Sequence, residues 1–357
     1  MFPCEATRAS GIDSTRRRRV AKAMEAPQFE SVFLHVTKAC NLSCSYCYFS
    51  ASKPLPDEMT TAEFSQLWPD VVALTPKKLI FTGGEPLLRP DLIELVSGLA
   101  AADPEHRILR CVNSNGHGVT KQLARDLVGL ADEVRVSLDG LPGLNDAVRG
   151  PGNFDAALRA LEIYHSAGFV PKVLVTVTAM SLPGLEELLC FLIQRGITRI
   201  NLNAFRPIGR GQRHVDWQPD PAKIRDAVRR AWRSCYPASN WPPLSPDLDS
   251  QSHCGVGRFI NIMSNGDVFP CHVLTNPEFR CGNLRQQRLV DICRSQGLLA
   301  ALATLDFSTF ADDKGLSSLT NAGTCLGSVY ARTKTSPSWG RALPLVPVES
   351  LSERRMP

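Results

Sequence analysis

Cys40-Asn41-Leu42-Ser43-Cys44-Ser45-Tyr46-Cys47 places three cysteines in eight residues, spaced C-x3-C-x2-C. An apolar run at 31–36 precedes it and reads as a strand that opens into a loop. Three thiolates on one short loop hold three irons of a four-iron cluster and leave the fourth iron open to a substrate or cofactor. A structural zinc site would instead want a fourth ligand nearby and would be closed. With twelve cysteines in 357 residues, chance supplies this spacing roughly 0.01 times per chain, so the pattern calls for a chemical reason.

Outward from that loop the chain alternates short β-rich runs with longer helical patterns. The strand-like runs are 31–36, 78–82, 107–113, 133–138, 172–178 and 199–205. Helical periodicity covers 61–72, 90–102, 120–130, 154–167 and 182–195. Thr60-Thr61-Ala62-Glu63 has the form of a capping box at the first helix. Six β-α repeats predict a parallel sheet with right-handed crossovers. Near-continuous apolar runs such as 173–178 predict strands covered on both faces. Periodicity does not say whether the sheet is open or curled.

Polar motifs fall at successive strand ends. Thr82-Gly83-Gly84-Glu85-Pro86 follows the second strand. Its glycines let backbone approach a ligand closely, and Gly83-Gly84-Glu85-Pro86 also suits a plain turn before a helix. Asn113-Ser114-Asn115-Gly116 ends the third strand, where an Asn-Gly turn is the simpler account. Ser137-Leu138-Asp139-Gly140 ends the fourth, and Arg149-Gly150 precedes Gly152-Asn153-Phe154. Cys111 and Cys190 sit in apolar patterns and are expected to be small buried hydrophobes.

Together these residues resemble the radical S-adenosylmethionine (radical SAM) superfamily. The resemblance covers 31–213 well and rests on the three-cysteine loop with Tyr46 before its last cysteine. It implies a partial (β/α)6 barrel with its site at the C-terminal strand ends, and a [4Fe-4S] cluster on Cys40, Cys44 and Cys47 whose open iron is chelated by SAM. One electron then cleaves SAM to methionine and a 5′-deoxyadenosyl radical, which abstracts a substrate hydrogen. Gly83, Gly84 and Glu85 match the motif that holds the SAM amino group. Asn115 matches a turn near the ribose, and Ser137 and Arg149 are the implied partners of the SAM carboxylate. Tyr46 is expected to flank the adenine. Residues 207–211 look like this family's barrel end and receive no chemistry.

A second cysteine set follows. Cys254, eleven residues, Gly266, four residues and Cys271 match the opening of the SPASM and Twitch extensions. The stretch between reads as a β-hairpin with an Asn265-Gly266 turn, which brings its two ends together. Gly282-Asn283-Leu284 fits the next step of that pattern. The usual C-x2-C-x5-C-x3-C continuation is missing. Asn321-Ala322-Gly323-Thr324-Cys325 resembles its final C-x-G-G-C, which makes Cys325 the third implied ligand of a single auxiliary iron–sulfur cluster beside Cys254 and Cys271. The fourth ligand stays open among Cys281, Cys293, His253, His272 and a vacant position. A zinc site, or an extension without metal, is the alternative.

Composition is that of an ordinary globular protein, 43% hydrophobic and 21% charged, with net charge +5. No window nears the length of a membrane helix, and the start lacks the apolar core of a secretory signal. The expected location is therefore the reducing cytoplasm, with the cysteines as ligands more than disulfides. Arg16–Arg19 reads as a solvated run, and no recognisable nucleic-acid module accompanies it. The expected division is a basic leader at 1–30, the barrel at 31–213, a linker with a helix at 214–252, the cluster-bearing extension at 253–332 and a loose tail at 333–357. The resemblance implies an oxidoreductase or maturase acting on a ribosomally made peptide. The alternative is a Twitch-type dehydrogenase of an aminocyclitol or sugar. Implied partners are SAM, an electron donor such as flavodoxin or ferredoxin, and a precursor peptide. No acid–base residue for the substrate is singled out.

Overall fold

The computed structural model describes residues 29–235 and 256–294. Six strands follow in order: β1 (Ser31–Thr37), β2 (Lys78–Gly83), β3 (Leu109–Ser114), β4 (Glu133–Ser137), β5 (Lys172–Val177) and β6 (Arg199–Ala204). Each pairs in parallel with the next. The helices between them are α1 (Thr61–Ser65), α2 (Trp68–Leu74), α3 (Leu92–Ala102), α4 (Lys121–Leu127), α5 (Pro142–Arg149), α6 (Asn153–Ser166) and α7 (Leu185–Gln194). A further helix, α8 (Pro221–Cys235), packs on α7. The predicted β-α alternation and parallel sheet are therefore present. Strands β7 (Phe259–Ile262), β8 (Asp267–Phe269) and β9 (Gly282–Asn283), then α9 (Leu289–Arg294), complete the described chain. The sheet runs β6-β5-β4-β3-β2-β1-β7-β8-β9.

One face of this sheet is covered by helices. Val32, Leu34 and Val36 of β1, Leu79 and Phe81 of β2, and Val173, Val175 and Val177 of β5 are buried there with Leu95, Leu99, Leu161 and Leu188. The expectation of strands covered on both faces holds along β1, β2 and β4, whose residues are nearly all buried, and fails along β5. Along β5 exposure alternates residue by residue, with Lys172, Leu174 and Thr176 half-buried between buried valines. Period-two alternation marks a strand with one open face, and Leu174 disguised it in the sequence as a continuous apolar run.

Three local readings change as well. The helix expected over 61–72 is two helices, because Pro69 lacks the N–H that would continue α1 and instead sits in the first turn of α2. The capping box is formed, with the Thr60 hydroxyl accepting from the Glu63 N–H and the Glu63 carboxylate accepting from the Thr60 N–H at 2.8 Å. Helix α5 was hidden in the sequence by Pro142 and Gly143, and it carries Arg149 in its last turn. Finally, Cys190 is not a lone hydrophobe. It forms a disulfide with Cys235, with Cα atoms 5.6 Å apart. Packing of α7 on α8 supplies that reach, which two cysteines 45 positions apart do not announce in sequence. Cys111 is buried and free as expected.

Candidate active site at the strand ends

The cysteine loop leaves β1 at Thr37 and is closed at its base. Cys40 N–H donates to the Ser52 carbonyl at 2.9 Å, and Ser52 N–H donates to the Lys38 carbonyl at 3.0 Å. A tight turn follows, in which Cys47 N–H reaches the Cys44 carbonyl. Cys40, Cys44 and Cys47 are all free and half-buried. Burial pushes the Cys40 thiol up, with Glu85 and Cys47 adding to the effect. Burial likewise pushes Cys44 up to about 11, with Cys47, Asp139 and Cys40 adding. Neighbouring sulfurs thus disfavour ionisation of Cys40 and Cys44, and iron would supply the positive charge that deprotonates them. The donor set thus fits a cluster: three soft sulfurs on one loop. Among the described residues no three ligating side chains converge on a point that one metal ion would fill.

Gly83 and Gly84 sit against the start of this loop. A Cβ at Gly83 would lie 2.3 Å from the Thr37 carbonyl oxygen, and one at Gly84 2.0 Å from that of Ala39. Only glycine lets the β2 end run that close, where Gly84 N–H and Glu85 N–H each donate at 2.8 Å to Thr37 and Ala39. Glu85 is buried, and its carboxylate accepts from the N–H groups of Asn115 at 2.7 Å and Leu87 at 3.2 Å. Burial outweighs those bonds and lifts its carboxyl to about 7. Asn115 ties three pieces together. Its side-chain amide donates to Asn41 Oδ1 at 2.8 Å and approaches Cys40 Sγ at 3.9 Å, while its carbonyl accepts from Asn153 Nδ2.

Asp139 collects the next group. Its Oδ2 accepts from the Tyr46 hydroxyl and, at 2.5 Å, from Arg149 Nε. Its Oδ1 accepts from Thr176 N–H at 2.6 Å. Burial opposes the Arg149 charge, but Asp139 more than offsets it and holds the guanidinium firmly protonated. Arg149 also lies over the Tyr46 ring, and Tyr46 packs edge-on to Phe205. Ser137 is half-buried at the end of β4. The structure therefore brings Tyr46, Gly83, Gly84, Glu85, Asn115 and Arg149 around the cysteine loop, with Ser137 one residue pair below Asp139.

Arg210 is a site residue that the sequence reading passed over. Its N–H donates to the Cys47 carbonyl at 3.0 Å, its Nε to Cys44 at 2.9 Å and its Nη1 to Ala51 at 2.6 Å. Gly209, at φ +57°, admits this approach, since a Cβ there would meet the Tyr48 carbonyl oxygen at 2.2 Å. The 207–211 motif was visible; its target, a loop 160 residues earlier, was not.

The predicted hairpin is present, with β7 and β8 antiparallel and Gly266 at φ +85° in the turn. Cys271 follows it, buried, with His272 Nδ1 3.9 Å from its sulfur. Burial lowers His272 to about 4. Tyr48 is close enough to both sulfur regions that, after burial, Cys47 and Cys271 push its hydroxyl pKa up. Cys281 and Cys293 instead pack with the helix-side core, and burial raises both to about 12. Cys254, Cys325 and His253 lie outside the described residues.

Comparison with known proteins agrees with this geometry. Residues 34–189 match the radical SAM superfamily, and residues 254–318 match the SPASM iron–sulfur cluster-binding domain. The mycofactocin maturase MftC of Mycobacterium ulcerans is 30% identical over 263 residues, covering 70% of this chain and 70% of that protein. The chain belongs to the radical SAM superfamily. This radical SAM chain also matches MftC of Mycobacterium tuberculosis at 30% identity, spanning 66% of that relative's length. An AdoMet-dependent heme synthase of Oleidesulfovibrio alaskensis is 29% identical over 307 residues, 75% of each chain. In fold, the chain resembles anSMEcpe with bound AdoMet and Cp18Cys peptide, at a TM-score of 0.68 and 16% identity over 87% of this chain and 92% of that one. A SPASM-type iron–sulfur cluster-binding region thus follows the radical SAM strands. Among the described residues no helix is long and apolar enough to cross a membrane.

Proposed function

We propose that the chain is a radical SAM maturase that modifies a ribosomally made peptide. The observation that carries this is the 30% identity to the maturase MftC over 70% of both chains, together with a SPASM match after the barrel. The cluster and SAM, when bound, supply a radical able to abstract a hydrogen from an unactivated carbon. Cys40, Cys44 and Cys47 are the proposed ligands of the SAM cluster; Cys254, Cys271 and Cys325 are those of an auxiliary cluster. Glu85 would meet the SAM ammonium, which offsets the burial that holds its carboxyl near 7 and favours the ionised form. Ser137 and Arg149 would take the SAM carboxylate. Arg149 commits its Nε to Asp139 and keeps the rest of its fork for a second anion. Tyr46 would stand beside the adenine and Asn115 beside the ribose. The reading includes the division at 31–213 and 253–332, a cytoplasmic setting, and a flavodoxin- or ferredoxin-like electron donor.

The test is anaerobic reconstitution followed by iron counting, SAM cleavage and peptide mass analysis. Wild type should bind about eight irons and a Cys40/Cys44/Cys47→Ala variant about four. A short peptide encoded beside this chain's gene should raise 5′-deoxyadenosine output and change mass. The heme synthase of Oleidesulfovibrio alaskensis, matched over 75% of each chain, supports a second reading as a tetrapyrrole-modifying enzyme. Turnover of an iron porphyrin with no peptide changing mass would overturn the first reading in favour of the second.

A further inference from the structure

The open face of the sheet carries a charge pattern that cluster and SAM do not use. Arg135, Lys172 and Arg199 stand in one row across β4, β5 and β6, each the direct cross-strand partner of the next. Like charges placed opposite one another on adjacent strands repel. One carboxylate serves all three. Glu133 accepts from Arg135 through Nε at 2.8 Å and Nη2 at 2.5 Å, from Lys172 Nζ at 3.1 and 3.2 Å, and from Arg199 Nη2. Lys78, at the start of β2, is a fourth positive charge near enough to act on Cys111 alongside Arg135 and Lys172. Within strands β2 to β6, the alternate positions sharing this face with Glu133 hold no second acid. Three cations therefore share one carboxylate, with Lys78 close by.

The row is not sealed. The Arg199 side chain is 37% exposed and that of Lys172 24%, while Glu133 and Arg135 are nearly buried. Burial works against the Glu133 charge, but Arg135 and Lys172 hold its carboxyl at about 2, so it is ionised at any working pH. Lys172 is pulled the other way, chiefly by burial and despite Glu133. Partly buried cations are normally matched one to one, because each unmatched charge costs desolvation. A surplus of partly exposed cations over carboxylates is what an anionic ligand would complete.

We propose that Arg135, Lys172 and Arg199 form an oxyanion subsite at the base of the open face, taking a carboxylate of the substrate. Arg199 and Lys172 are its reachable members, and Arg135 with Glu133 fixes the row. Five residues of β6 separate Arg199 from the strand end, roughly 17 Å at 3.3 Å per residue. An extended peptide covers that in about five residues, so the carboxylate would lie about that far along the chain from the carbon attacked at the mouth. The identity of the chain bearing the carboxylate rests on the maturase reading; the anion site does not.

The experiment is isothermal calorimetry on reconstituted, SAM-loaded enzyme at fixed ionic strength. Glutarate and tricarballylate are the carboxylate probes, inorganic phosphate the rival anion and glutaramide the neutral control. Both carboxylates should bind wild type and glutaramide should not. Arg199→Gln and Lys172→Met should each weaken carboxylate binding at least tenfold, while Arg199→Lys retains most of it. Iron content and thermal midpoint identify any variant that has lost its fold, and Arg199→Lys against Lys172→Met still decides the matter. Equal binding by wild type and variants, or equal binding of glutaramide, overturns the subsite. A preference for phosphate overturns the carboxylate assignment. Failure of the maturase reading would appear separately, as carboxylate binding without peptide turnover.

Discussion

Asp139 accepts hydrogen bonds from three separate stretches: the cysteine loop through Tyr46, α5 through Arg149, and β5 through Thr176. Its removal leaves a buried guanidinium with no counter-charge, so Asp139→Ala is expected to cost about 3–5 kcal/mol in urea unfolding. An Asp139→Ala/Arg149→Met double variant should lose much less than the sum of the single changes, and strict additivity would sink the pairing. His35 makes a second, pH-dependent prediction. It is fully buried in β1, donates through Nε2 to Asn261 Oδ1 at 2.8 Å, and leaves Nδ1 without a partner. Burial first, and nearby His272 after it, lower its pKa to about 3 against the bond to Asn261. A folded-state value below the unfolded 6.5 means that the unfolded chain binds the proton first. Its contribution is therefore complete above pH 6.5 and is lost as pH falls toward 3, at up to about 1.4 kcal/mol per pH unit. His35→Gln should flatten the stability profile over that window, and an unchanged slope would show that His35 is already protonated in the fold.

The cysteine loop is held by its neighbours more than by itself. Arg210 supplies two charged-donor bonds and one backbone bond to carbonyls flanking Cys44 and Cys47. Bonds from a charged donor contribute about 1.5–3 kcal/mol each. Arg210→Gln should therefore speed iron loss to a chelator several-fold while the thermal midpoint of the strands shifts far less. Gly209→Ala should do more, since it adds both a clash and a left-handed backbone. Chelation at the wild-type rate in both variants would mean that the loop holds its shape unaided. Such clamps also mark what the sequence could and could not disclose. The strands, the cysteine loop, the capping box at Thr60 and the Asn265-Gly266 turn were legible because each is set by residues a few positions apart. The convergence of Asp139 on Tyr46 and Thr176, and of Arg210 on Cys44, was not, because strand order decides it. The cation row was hidden for the same reason: Arg135, Lys172 and Arg199 become neighbours only once β4, β5 and β6 are in register.

At the scale of the whole molecule, the barrel strands and the hairpin share one sheet. β1 has β2 on one side and β7 on the other, with Phe33 opposite both Ile80 and Asn261. Further ties cross the same seam: Met59 N–H donates to the Ser264 carbonyl at 2.6 Å, Arg285 Nε meets Glu63 at 2.6 Å, and Arg288 pairs with the buried Asp70. Opening β7 therefore exposes an edge of β1, the strand that delivers the cysteine loop, so the hairpin should not melt by itself. Asn261→Pro tests this, because proline removes an N–H and crowds the ladder in a strand that has neighbours on both sides. The variant should lose at least about 3 kcal/mol, with β2 and β3 amides gaining hydrogen exchange together with those of β7 and β8. Exchange confined to β7 and β8 would instead mean that the extension opens as a separate unit. A single cooperative sheet has a direct consequence for the proposed chemistry. The Cys47 and Cys271 regions, both close to Tyr48, would keep a fixed separation through turnover, so any electron passing between two clusters would cross the same gap each time.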